Sequence, residues 1–310
     1  MKNFWTKLNK PILALAPMAG ITDSAFRQIC KEYGADVVYS EMASVAALTY
    51  NSKATLEMLK FSAKERPYVV QLFGNDPEQF SKAVRLVEKK IKPDGFDINF
   101  GCPAPKVLKQ KAGAELFADL KKSRAVIESV LANTKLPISI KTRTEAKGVD
   151  IYQFLKNISD LNVSAIMIHG RTLAKGFEGP VDWQTIKKVR QDFPGIVLAN
   201  GGIKNRQDAN NLLKKTGADG LGLAQGALGR PWLFAEIRSV NNLPDKDIKE
   251  IFSVALAHAK LAKKLKGQQG IIEMRKHLCW YVQGMKNARG LRKELVKVET
   301  LTEIKKIFNI

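Results

Sequence analysis

The hydrophobic pattern of the chain breaks into short apolar runs separated by stretches of helical periodicity. The runs are Ile12–Ala16, Asp36–Ser40, Tyr68–Phe73, Phe96–Asn99, Leu136–Lys141, Ala165–His169, Ile196–Asn200 and Gly220–Leu223. They are almost unbroken in apolar character, as strands covered on both faces are. Between them, Thr22 or Asp23 can cap a helix whose stripe is Phe26, Ile29, Cys30 and Tyr33, and Gly34 stops it. Asp76-Pro77 opens another helix with proline in its first turn. Eight strands alternating with helices have the rhythm of an α/β (β/α)8 TIM barrel. A doubly wound dinucleotide-binding sheet lacks support, because no G-x-G-x-x-G follows the first run.

The pattern changes after Leu243-Pro244-Asp245. From there to Ile310 no strand-like run occurs, and the spacing predicts a C-terminal all-helical domain. Residues 1–240 and 241–310 are therefore expected to form two units. Breaks are expected at Gly267–Gly270 and between Gly284 and Gly290. The last helix is expected to carry the stripe Leu291, Leu295, Val298, Leu301 and Ile304, with Arg289, Lys293 and Lys297 four apart on another face. That basic face reads either as solvated surface or as a contact for a phosphate backbone.

Polar residues close several of the apolar runs: Gln71, Asn99, Lys141, His169 and Asn200. In a barrel these positions converge on one mouth. A lysine ending a buried strand is costly without an anionic partner. The fourth run leads into Gly101-Cys102-Pro103, which puts a thiol on the loop beyond a strand end. On position alone Cys102 reads equally as a buried hydrophobe or as a reactive group. The glycine-rich stretches Asn200-Gly201-Gly202 and Gln225–Gly229 fall where barrels bind phosphate through backbone N–H groups.

Charge narrows the function. The net charge is +21 and the isoelectric point about 9.8, which points to a polyanionic partner, nucleic acid first and an anionic membrane second. Three cysteines without a C-x-x-C pair argue against a disulfide framework or a zinc site and fit a reducing cytoplasm. No signal peptide and no apolar span of about 18 residues is visible, so no membrane association is expected. No carboxylate/histidine cluster has ligand spacing, so no metal is expected.

Eight motifs in this order resemble the bacterial type of the tRNA-dihydrouridine synthase family. They are Ala16-Pro17-Met18-Ala19-Gly20-Ile21-Thr22-Asp23, Ser40-Glu41-Met42, Val70-Gln71-Leu72-Phe73-Gly74 and Asp97-Ile98-Asn99-Phe100-Gly101-Cys102-Pro103. They continue with Ile140-Lys141-Thr142-Arg143-Thr144, Ile168-His169-Gly170-Arg171-Thr172, Ala199-Asn200-Gly201-Gly202-Ile203 and Gly229-Arg230-Pro231-Trp232. Arg275-Lys276-His277 with Trp280-Tyr281 looks like the family's helical domain.

The resemblance implies an FMN enzyme, re-reduced by NADPH or NADH, that reduces uridines in the D-loop region of tRNA. It implies a catalytic barrel over 1–240 and a tRNA-binding helical domain over 241–310, in a cytoplasmic monomer. Pro17, Met18 and Ala19 would line the flavin, Gln71 and Lys141 would bond its ring, and His169 would sit beside it. Asn200, Gly201, Gly202, Ala224 and Gln225 would hold the phosphate end. Cys102 would be the general acid. Asn99, Arg143 and Arg171 would orient the uracil or its phosphate, and Arg275, Lys293 and Lys297 would contact tRNA. Ala224-Gln225 stands where the family usually has Gly-Arg, which leaves the phosphate mainly to backbone N–H groups. Two other readings stay open here: a small-molecule reductase of the dihydropyrimidine or dihydroorotate type, and a tRNA-binding protein without catalysis.

Overall fold

The computed structural model describes residues 3–50, 52–241, 243–244 and 246–310. Asp245, at the expected boundary turn, lies outside the described residues. The barrel strands are β1 Ile12–Leu15, β2 Val37–Tyr39, β3 Tyr68–Phe73, β4 Gly95–Asn99, β5 Ile138–Arg143, β6 Ala165–His169, β7 Ile196–Asn200 and β8 Gly220–Leu223. Each pairs in parallel with the next, and β8 pairs with β1, so the sheet closes into the expected barrel.

The register explains where chemistry can sit. Side chains alternate along a strand, so one set fills the barrel and the other packs under the helices. The inner set is Ile12, Ala14, Ala16, Val37, Tyr39, Val69, Ala165, Met167 and Leu198, with Trp5 packed on it from the turn Phe4–Lys7. One row beyond this apolar filling, toward the carboxyl ends, the inner positions turn polar. Gln71 pairs with Asp97 and Asp97 with Ser139; Asn99 lies opposite Lys141, and Arg143 opposite His169. Gln71 and Lys141 are not strand-terminal: β3 runs on to Phe73 and β5 to Arg143.

Helix α1, Ser24–Glu32, is capped by Asp23, whose side chain accepts from the Phe26 N–H. From Ile248 onward the described chain is helical: α2 Ile248–Lys266, α3 Gln268–Tyr281, α4 Ala288–Leu295 and α5 Leu301–Phe308. The long last helix expected from the stripe is instead two. Thr300 caps α5, with Glu303 completing the reciprocal cap. Lys297 thus lies beyond α4 and does not continue the face of Arg289 and Lys293. Gly270 is inside α3 rather than at the break, and serves close packing there, since a Cβ would strike the Ala262 carbonyl of α2.

The helices have their own core, in which the Phe252 and Phe308 rings stack at 4.0 Å. The same core takes in Ala25 and Trp232 from the barrel. Phe26 of α1 packs against His258 and His277, with ring centroids 5.6 and 5.1 Å away. Lys266 pairs with Asp23 at 2.8 Å. Burial lowers the pKa of both histidines, His258 to about 4, so they pack these helices against α1 as neutral rings.

Candidate active site

A cleft of about 1430 Å³ opens at the carboxyl ends of the strands. Every barrel residue singled out from sequence lines it: Pro17, Met18 and Ala19; Gln71; Asn99 and Cys102; Lys141 and Arg143; His169 and Arg171; Asn200, Gly201 and Gly202; Ala224 and Gln225. Its far wall comes from the helical region, with Trp280, Gln283 and Met285. Arg275 is elsewhere. Its guanidinium donates to the carbonyls of Val298 at 2.9 Å and Lys297 at 3.4 Å, so it braces the turn between α4 and α5 rather than facing the cleft. Lys293 and Lys297 are exposed, away from the lining.

A chain of hydrogen bonds crosses the barrel under the cleft. Ser139 Oγ donates to Asp97 Oδ1 at 2.6 Å, and Gln71 Nε2 donates to Asp97 Oδ2 at 2.7 Å. Asn99 Nδ2 donates to Gln71 Oε1 at 2.9 Å. Asn99 Oδ1 accepts from the N–H groups of Gly101 at 3.1 Å and Cys102 at 3.0 Å. Asn99 is thus occupied in holding the Cys102 loop, whatever else its second N–H reaches. Asp97 is fully buried, and burial raises its carboxyl to about 6 against the opposing effects of Ser139, Gln71 and Lys141. Neither Asp97 nor Ser139 stands out in sequence, since both sit inside apolar runs. The signal was the two-residue step from Asn99 and Lys141, which puts them on the same inner face.

Arg143 holds the same loop from its other side. Its Nε donates to Gly101 O at 2.9 Å, and Nη1 to Thr172 O at 3.0 Å and Gly176 O at 2.9 Å. These two donors therefore tie two loops together, while the residue itself lines the cleft. Arg171 donates to Gly179 O through Nε at 2.9 Å and Nη2 at 2.8 Å, and its Nη1 lies 3.3 Å from His169 Nε2. Arginine only donates, so Nε2 accepts and the His169 proton sits on Nδ1. Burial, then the charges of Lys141, Arg143 and Arg171, lower the His169 pKa to about 3. His169 is a neutral ring at physiological pH.

Two lining cations have no hydrogen-bonded acceptor among the described residues, Lys141 and Lys204. Burial lowers the Lys141 pKa to about 8, with Arg143 adding to the effect and Asp97 and Cys102 opposing it. Lys204 follows the glycine cradle. Gly201 has φ +109°, and a Cβ there would come within 2.7 Å of the His169 ring, so only glycine fits. Gly226 abuts the Ile203 carbonyl, which joins the two glycine loops. Ala224 has φ −125°, which a side chain tolerates, and Gln225–Ala227 forms one 3-10 turn. Phe177 is 61% exposed at the rim, beside His169 and under Arg143 at 5.8 Å from each. No pattern along the chain singles out Lys204 or Phe177, which lie outside the regular elements. Among the described residues no group of three or more His, Cys, Asp or Glu could hold a metal, and no helix is long and apolar enough to cross a membrane.

Similarities to known proteins follow the same lines. Among solved structures, the chain is similar to histamine dehydrogenase from Rhizobium sp. 4-9, with TM-score 0.58 and 11% identity over 82% of this chain and 49% of that one. It is also similar to a 2-naphthoyl-CoA reductase, with TM-score 0.59 and 9% identity over 76% and 51%. These likenesses concern the fold. Among curated sequences it is 34% identical to tRNA-dihydrouridine synthase B of Shewanella oneidensis, over 94% of this chain and 92% of that protein. It is 33% identical to tRNA-dihydrouridine synthase B of Pseudomonas aeruginosa over 93% and 88%, and 30% identical to a probable tRNA-dihydrouridine synthase 1 of Synechocystis sp. over 95% and 84%. The profile of the family Dihydrouridine synthase (Dus) matches residues 14–309, and the chain belongs to that family.

Proposed function

We propose that this protein is a cytoplasmic tRNA-dihydrouridine synthase that uses FMN, re-reduced by NADPH or NADH, to reduce uridine in the D-loop region of tRNA. The observation that carries the reading is the placement of the Cys102 thiol, on a loop tied down on both sides, over a cleft floored by an unpaired Lys141 ammonium. Two features of the cleft fit FMN. The Gly201-Gly202 cradle leaves room that a Cβ would fill, and the first N–H groups of the turn at Gln225 have no acceptor within that turn. The unpaired ammonium groups of Lys204 and Lys141 suit a phosphate and a ring that gathers negative charge. FMN would thus be held by Gly201, Gly202, Lys204 and the backbone at 224–226 at one end, and by Lys141 at the other.

Once reduced by NADPH or NADH, bound FMN would supply the hydride that C6 of the uracil must receive. The chain's own part is the proton at C5. A Cys102 thiol donates it and is left as a thiolate, which solvent reprotonates. Neutral His169 contributes a hydrogen bond and not a charge. A uridine must leave its stack to reach a barrel mouth. Phe177, exposed at that mouth, is suited to stack on a base of the displaced strand. The net charge of +21 and the wall built by the helical region favour a folded RNA over a free base. The test is substrate choice: with FMN and NADPH, purified protein should form dihydrouridine in unmodified tRNA and leave free uracil and orotate unreduced. Equal or better turnover of a free pyrimidine would instead make it a small-molecule reductase.

A further inference from the structure

We propose that Asp97 is a positioning residue: through Gln71 and Asn99 it fixes the backbone at Gly101–Cys102 and so sets where the Cys102 thiol stands. Its consequence for catalysis rests on the reading of Cys102 as the acid; the geometry does not.

The direction of every bond in the chain is forced. The N–H groups of Gly101 and Cys102 can only donate, so Asn99 must present Oδ1 to them, at 3.1 and 3.0 Å. That turns Asn99 Nδ2 toward Gln71, which must present Oε1, at 2.9 Å. Gln71 Nε2 then points at position 97 and needs an acceptor there, 2.7 Å away. A carboxylate offers only acceptors, so Asp97 admits a single polarity for both amides. Ser139 supplies the donor for its second oxygen at 2.6 Å. Asp97 is 0% exposed, Gln71 and Ser139 1% and Asn99 7%, so bulk water cannot replace a missing partner. An amide at either link could otherwise turn over and set an NH2 group against the two backbone N–H groups, which would push the loop away from Asn99.

The experiment is residue-resolved hydrogen exchange on the full-length protein, with the rate of Cys102 alkylation by iodoacetamide read by peptide mass. Both run without tRNA or added cofactor. Asp97→Leu leaves Gln71 Nε2 without an acceptor. Exchange at Gly101 and Cys102 should rise by roughly 10-fold or more, with faster alkylation, while Ile98 and Ile140 in the ladder keep wild-type rates. Asp97→Asn should stay within about 3-fold of wild type, because the introduced amide can accept from Gln71 and donate to Ser139, whose hydroxyl turns to the Phe96 carbonyl 3.4 Å away. If Asp97→Leu does not fold, Gln71→Met serves, since it cuts the same link from its other side and leaves Asn99 Nδ2 without its acceptor; it should loosen the loop as Leu does. Wild-type exchange and alkylation in a folded Asp97→Leu or in Gln71→Met would overturn the proposal. So would an Asp97→Asn as loose as Asp97→Leu, which would make charge and not polarity the cause. A loosened loop with unchanged dihydrouridine formation would uphold the positioning role and remove the acid role of Cys102.

Discussion

Replacing Asp97 by Asn should make the protein more stable at neutral pH, and by an amount that depends on pH in a defined way. The carboxyl is fully buried and its pKa rises from 3.8 to about 6 on folding. A carboxyl whose folded pKa is raised binds its proton more tightly in the native state, so it costs stability as pH rises above the unfolded value. A shift of about 2 units at about 1.4 kcal/mol each gives a cost of about 3 kcal/mol once pH is above both values. At pH 4.5 only about 1 kcal/mol of it is expressed. Asn keeps the hydrogen bonds but not the charge. It also withdraws the attraction that holds Lys141 up near 8, which returns part of the gain. The expectation is a variant more stable by about 2 kcal/mol at pH 7.5, with the advantage shrinking toward pH 4.5. Urea unfolding followed by tryptophan fluorescence between those pH values measures it, at constant m-value. An Asn variant less stable than wild type at pH 7.5, or a difference that does not change with pH, would refute the account of a buried, ionised Asp97.

Lys141 in the cofactor-free protein should acylate with a midpoint near pH 8, below the exposed lysines; a midpoint with the surface set would remove its assigned burial cost. Lys204→Ala should weaken FMN by roughly 10-fold in flavin fluorescence titrations while leaving riboflavin, which lacks the phosphate, unchanged. Gln225→Arg should restore FMN in that background, and equal losses for both flavins would place the phosphate elsewhere. Phe177→Ala should raise KM for tRNA several-fold with FMN affinity intact, since stacking on a base is worth about 1–3 kcal/mol. Lys293→Glu with Lys297→Glu should flatten the log K against log salt slope for tRNA by roughly one to two units, and an unchanged slope would make that surface merely solvated.

The barrel was legible because strands covered on both faces leave near-continuous apolar runs, and Gly-Cys-Pro or Asn-Gly-Gly mark where they end. The mouth residues were legible for the same reason: Asn99, His169 and Asn200 are where apolar character stops. What the pattern hides lies one step inward. Asp97 and Ser139 look like interruptions in strands until the inner face is counted by twos from Asn99 and Lys141. Arg143, a charge expected to meet substrate, lines the cleft as expected, but its ties to three loop carbonyls depend on loop geometry and leave no mark in the sequence pattern. The split of the last helix was hidden because the stripe from Leu291 to Ile304 continues across the turn at Thr300, and only the cap there reveals the break. Lys204 and Phe177 come together with the site through loop geometry, which no periodicity reports.

The most direct test of the account is single-turnover reduction of unmodified tRNA by Cys102→Ala with FMN already bound and reduced. Cofactor content and reduction by NADPH should match wild type, since the Cys102 side chain takes part in none of the ties that hold the loop or the cradle. Dihydrouridine formation should fall by about 10²–10⁴-fold, the usual loss for a missing general acid. Formation at the wild-type rate would contradict the assignment of Cys102 as the proton donor.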